Sequence, residues 1–194
     1  MVVKEKLIIM SRPISRFNPQ RMTEEEILSL STGRDNLLKL MMGDMQVCLH
    51  PNSNQHFIFY GPRGIGKSFF TRLLKITHDR SSEFKKSIFI QLPEEQSNIS
   101  YVADLMDMIS TKLEGKLFDS MSNRWDINET AWQNSKKRLK KSLEEIKKKD
   151  KVEHVFFTME NLQDFIPKLS SQENGRMREF LSEFSTDQII YSFE

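Results

Sequence analysis

Apolar residues along this chain recur in two rhythms, one helical and one continuous. Thr23 and Glu26 stand at the spacing of a capping box just ahead of Ile27, Leu28 and Leu30, which predicts a short helix that Gly33 ends. Asp35 can cap a second helix through Leu37, Leu38, Leu40 and Met41. After the turn residues Pro51, Asn52 and Asn54 comes Phe57-Ile58-Phe59-Tyr60, a short unbroken apolar run that reads as a strand covered on both faces. From Lys67 to about Thr77, Phe70, Leu73, Leu74 and Thr77 share one helical side. Ser87 to Leu92 reads as a second strand ended by Pro93. Ser100 is placed to cap a helix carrying Val102, Leu105, Met106, Ile109 and Leu113. Asn128 opens a long charged helix with Trp132, Leu139, Leu143 and Ile146 along one stripe. Val152 to Met159 is a third strand, residues 161–169 and 175–184 are helical or turn-rich, and Gln188 to Phe193 is a fourth strand. Strands alternating with helices predict an α/β fold: a parallel sheet of four strands with helices on both faces. Residues 1–22, with Pro13 and Pro19, show little periodicity and read as an extended lead-in.

Composition narrows the picture only slightly. The 194 residues suffice for one domain with a real core, and 38% hydrophobic with 29% charged residues is a globular balance. A net charge of +2 does not by itself call for nucleic acid or a membrane surface. Cys48 is the only cysteine, so an intramolecular disulfide is excluded, and a reducing, cytoplasmic setting fits. No apolar run approaches the ~18 residues of a membrane span.

The chemistry concentrates in one octapeptide. Gly61, Pro62, Arg63, Gly64, Ile65, Gly66, Lys67 and Ser68 match G-x-x-x-x-G-K-[ST], between the first strand and the helix that continues with Phe69. Glycines there let successive backbone N–H groups converge on phosphate oxygens, and the helix directs its free N–H groups and positive dipole end at the same anion. Lys67 is placed to reach the β- and γ-phosphates and the Ser68 hydroxyl to bind Mg²⁺. The expected ligands are therefore ATP and Mg²⁺.

Such a loop needs a carboxylate at the carboxyl end of a neighbouring strand. Glu160 follows the third strand directly and is the expected second metal ligand beside Ser68; Asn161 then occupies the place of a water-activating group. In the alternative register Glu160 activates water and Met159, a poor magnesium ligand, falls at the metal position. Ser192, near the end of the fourth strand, either touches the γ-phosphate or the attacking water, or merely caps the strand.

Taken together these segments resemble the AAA+ and STAND branch of the P-loop ATPases. FNPQRMTEEEILSLSTGRDNL (18–38) is similar to the family's lead-in with its Gly-Arg pair, here Gly33 and Arg34. HFIFYGPRGIGKSFFTRLL (56–74) resembles its first strand, loop and helix, and FIQLPEEQSNISYVADLMDMI (89–109) its second strand and following helix. VFFTMENLQDFI (155–166) resembles its acidic strand, with Glu-Asn in place of Asp-Glu, and MREFLSEFSTDQIIYSF (177–193) the helix and strand that carry the sensor position, Ser192. The resemblance implies a P-loop NTPase fold over residues 23–194, incomplete because the family's fifth strand and helical lid do not follow. It also implies that the strand 57–60 has one unprotected edge, that the chain is a piece of a longer protein, and that Gly33 and Arg34 belong to the nucleotide site. Asn161 in place of an acid implies slow hydrolysis.

The leading expectation is an ATP-driven switch with slow hydrolysis. The alternatives are a nucleotide-binding interaction module without useful turnover, a DNA-associated ATPase and a small-molecule kinase. The expected partners are ATP and a protein, which includes a second copy. The lysine-rich stretch 136–151 is read as a solvated helix face in preference to a nucleic-acid patch, since aromatics are not interleaved with it. Arg176 and Arg178 read as surface residues in preference to arginines that act across a subunit boundary on a neighbour's nucleotide, and His50, His56, His78 and His154 lack metal-ligand spacing.

Overall fold

A computed structural model describes residues 19–50, 53, 55–92, 99–115, 128–160 and 165–184, and residues 188–193 as backbone. Helix α1, Glu24–Ser29, opens with the expected capping box: Thr23 Oγ1 accepts from the Glu26 amide, and the Glu26 carboxylate accepts from the Thr23 amide. α2 spans Asp35–Val47 and ends at Cys48, which is buried. Strand β1, Phe57–Tyr60, leads through the glycine loop into α3, Lys67–Arg80. β2, Ser87–Gln91, is followed by α4, Val102–Leu113; α5, Glu129–Asp150, is capped by Asn128 as expected. β3, His154–Met159, α6, Ser171–Glu183, and β4, Gln188–Phe193, complete the chain of elements. Residues 1–18 of the expected lead-in lie outside the described residues.

The strands pair in parallel in the order β1-β4-β3-β2. Period-two alternation along β2 and β3 splits their side chains between two cores. Ile90, Val155, Phe157 and Met159 join α4, α5 and α6, with Trp132 and Phe180 among the large buried side chains. Phe89 and Phe156 point the other way, into a core built by α1, α2 and α3 around Ile27, Met45, Phe70 and Leu74.

The expected P-loop NTPase fold needs correction. The chain is α/β and predominantly helical, but among the strands whose side chains are described only the adjacent parallel pair β2 and β3 is covered on both faces. β1 forms one rim of the sheet. Phe57 and Phe59 pack against the α1–α3 side, while Ile58 and Tyr60, on the opposite face, are 63% and 83% exposed. An apolar run tells that a strand could be buried twice, not that a second layer is present to bury it.

The rim has a consequence. Among the described residues β1 pairs only with β4, so its outer edge offers unsatisfied N–H and C=O groups beside two bare apolar side chains. The chain is expected to sediment as concentration-dependent oligomers, and Ile58→Lys to shift it toward monomer. A wild-type monomer at high concentration would refute this.

Charged side chains at the α4–α5–α6 contact are mostly paired. Arg138 donates to both Glu114 carboxylate oxygens at 3.0 Å and to Thr111 Oγ1 at 3.0 Å; Lys136 bridges Glu179 and Glu183, and Lys140 also reaches Glu183. Burial alone would raise the Glu183 carboxyl, but hydrogen bonds from Lys136 and Lys140 outweigh it and hold that group below the usual carboxylate range. Arg176 is buried, contrary to the surface reading. Its guanidinium donates to Glu173 at 2.7 Å and Glu129 at 3.1 Å and lies over the Trp132 ring, 5.4 Å from its centroid. Arg178 is exposed, as expected.

Candidate phosphate-binding site

The loop between β1 and α3 takes its shape from two glycines. Gly64 and Gly66 have φ of 83° and 94°, the left-handed region that other residues enter only with strain. Gly66 is also the N-cap of α3, so the chain turns sharply there and the first amides of the helix are left without intrahelical acceptors. Pro62, Arg63, Gly64 and Ile65 are exposed, leaving the loop backbone open to solvent. Lys67 lies across it, its Nζ donating to the Gly61 carbonyl at 2.7 Å and the Pro62 carbonyl at 3.2 Å.

Arg34 braces the loop from outside. It is the N-cap residue of α2, and its guanidinium donates to the carbonyls of Gly66 at 3.1 Å and Ile65 at 3.4 Å while stacking over Phe69, 4.9 Å from the ring centroid. A Cβ on Gly66 would lie 2.4 Å from Arg34 Nη2, so any other residue there would displace the guanidinium besides straining the backbone. Gly33 forms the turn that delivers Arg34. The Gly-Arg pair is therefore brought to the loop, with the arginine holding carbonyl oxygens.

Glu160 follows β3 and is 1% exposed. Its Oε1 accepts from the Thr71 hydroxyl at 2.8 Å and, at the long distance of 3.4 Å, from the Gln91 amide. Its Oε2 is buried without a hydrogen-bond partner among the described residues. Thr71 is fully buried on α3, one turn beyond Ser68, whose carbonyl oxygen lies 3.0 Å from the same hydroxyl. Thus one side chain ties Glu160 to the turn that carries Ser68. β4, whose Ser192 is in register with Phe59, runs between β3 and β1, so the Ser192 backbone sits two residues short of Gly61 in strand register. Asn161 lies outside the described residues.

Thr71 and Gln91 were not singled out by sequence reasoning. The signal for Thr71 was faint: a hydroxyl three residues beyond Ser68 on an otherwise apolar helix face. Gln91 is a polar residue closing an apolar strand. Among the described residues no three His, Cys, Asp or Glu side chains cluster as a metal site. A magnesium ion here would rest on Ser68, Glu160, water and phosphate oxygens, the sparse protein ligation that this ion commonly accepts. The glycine cradle and the unpartnered oxygen of Glu160 fit that arrangement.

A second polar chain resembles nucleophilic machinery and is not. Ser87 Oγ and His78 Nε2 are 2.8 Å apart, and His78 Nδ1 is 2.9 Å from Asp79 Oδ1. Ser87 donates its single hydroxyl proton to the Phe84 carbonyl at 2.9 Å, and the imidazole is packed among Phe84, Phe89 and Phe156. The group ties the end of α3 to β2.

No protein-family model, no curated protein and no solved structure matches this chain. No helix among the described residues is long and apolar enough to cross a membrane.

Proposed function

We propose that this chain binds ATP with Mg²⁺ at the loop Gly61–Ser68 and hydrolyses it slowly, as a switch. The observation that carries the reading is the loop itself: two left-handed glycines leading into a 14-residue helix, with the Lys67 ammonium lying on loop carbonyls. Backbone amides of the loop and of the first turn of α3 would receive phosphate oxygens. Lys67 would leave the Gly61 and Pro62 carbonyls and neutralise the terminal phosphates. Ser68 and Glu160 would hold the magnesium, which neutralises charge developing on the transferred phosphoryl group. The resemblance to AAA+ and STAND ATPases supports adenine, and the single cysteine fits a reducing, cytoplasmic setting. Mg²⁺-dependent heat on titrating the chain with ATP is the expected result, and its absence would overturn the reading.

A second reading keeps the binding and drops the turnover. It is favoured by Asn161, an amide that can orient water but not take its proton, and by the bare β1 rim, which suits a protein partner or a second copy. The basic face of α5 gives less support to nucleic acid, because Lys136, Arg138 and Lys140 are held by acidic side chains.

Two substitutions separate the roles of Glu160 and Asn161. With Glu160 as metal ligand, Asn161→Glu places a carboxylate beside the attacking water. The expected gain in phosphate release is below the ~10²–10⁴ of a fully aligned general base. Glu160→Gln is expected to weaken Mg²⁺-dependent binding. If instead Asn161→Glu changes nothing, and Glu160→Gln stops turnover with affinity intact, Glu160 is the water-activating group.

A further inference from the structure

Thr71 is fully buried in the first half of α3, and its hydroxyl faces two acceptors, the Ser68 carbonyl and Glu160 Oε1. A threonine inside a helix ordinarily returns its proton to a carbonyl of the preceding turn, which needs no outside partner. Here the 2.8 Å contact to Glu160 is the shorter of the two, and it crosses 89 residues of sequence. The carboxylate has little else. Gln91 is 3.4 Å from the same oxygen, and Oε2 has no partner among the described residues. Burying a carboxyl oxygen in this way is costly unless something compensates.

We propose that Thr71 is a positioning residue for magnesium: its hydroxyl fixes Glu160 against the turn of α3 that carries Ser68, keeping the free carboxylate oxygen turned toward the metal place. This rests on the reading of the loop as a Mg²⁺-nucleotide site. Ser68 and Thr71 lie on one face of the helix, one turn apart. A shift of that turn when phosphate is taken up is therefore passed to Glu160 through one side chain. Gln91, at a longer distance from the same oxygen, supports the carboxylate from β2.

The test compares Thr71→Val, which removes the hydroxyl at nearly constant volume, with Thr71→Ser, which keeps it. Thr71→Ala serves as a second hydroxyl-free variant, and thermal melts of each establish the fold. ATP affinity is measured by calorimetry in EDTA and across a Mg²⁺ titration. Thr71→Val is expected to lower the Mg²⁺-dependent gain in affinity roughly tenfold or more, as for loss of a hydrogen bond to a charged group. Affinity in EDTA should stay within about twofold, and Thr71→Ser should restore the gain. An undiminished gain in Thr71→Val, an equal loss with and without Mg²⁺, or no rescue by serine would each overturn the proposal. Wild-type chain that binds no nucleotide under either condition would overturn both it and the reading it rests on. Nucleotide binding with an unaffected Thr71→Val would remove only the role given to Thr71.

Discussion

Lys67→Ala is expected to weaken Mg²⁺-ATP binding by about 2–4 kcal/mol, roughly 30- to 700-fold. The lysine's contacts to the Gly61 and Pro62 carbonyls are hydrogen bonds to neutral oxygens, a modest match for a full positive charge. Triphosphate oxygens are far stronger partners, so the side chain gains on transfer from the loop to the ligand. Alanine removes that gain and leaves terminal phosphate charge uncompensated. The loop backbone should keep its shape in the variant, because Gly64, Gly66 and the Arg34 brace do not depend on the ammonium. Affinity for inorganic phosphate or AMP should therefore fall less than affinity for ATP. Equal ATP affinity of variant and wild type in calorimetry would refute the assignment of the loop.

Trp132→Ala is the substitution expected to cost most in stability, about 3–5 kcal/mol. The indole is 1% exposed and sits where α5 meets α4 and α6. Its removal opens a cavity and also takes away the ring face beneath the buried Arg176 guanidinium. For a chain of this size the melting temperature should drop by roughly 6–20 °C. Trp132→Phe, which keeps an aromatic face, should lose much less. A calorimetric melt of Trp132→Ala within a degree or two of wild type would show that this core does not depend on the ring.

Short-range signals carried much of the architecture. Thr23 with Glu26, and Asn128 ahead of its charged helix, are local hydrogen-bond patterns, and the structure makes them as expected. The fourth strand, Gln188–Phe193, has the bounds its apolar run indicated. Local reasoning slipped by one residue at α2, where the N-cap is Arg34 and not Asp35, and again at α4. Its N-cap is Tyr101, not Ser100, and the Asp104 carboxylate takes the amides of both. What failed was whatever depends on distant chain. The pattern Phe57–Tyr60 cannot report that Ile58 and Tyr60 are left exposed. Arg176 looks like a surface residue until Glu129 and Glu173 are found beside it. In the site, the octapeptide was legible because its chemistry is contiguous. Thr71 was not, because its partner Glu160 arrives from another strand.

α2 joins two features that seem unrelated. At its head Arg34 grips the loop carbonyls; at its tail Cys48 is sealed against the α1–α3 core, with burial and the nearby Asp44 raising the thiol's pKa against the opposing hydrogen bond from Ser53. The 13 residues of the helix separate the two. The sole cysteine of the chain is thus covered by the same helix whose first residues brace the loop.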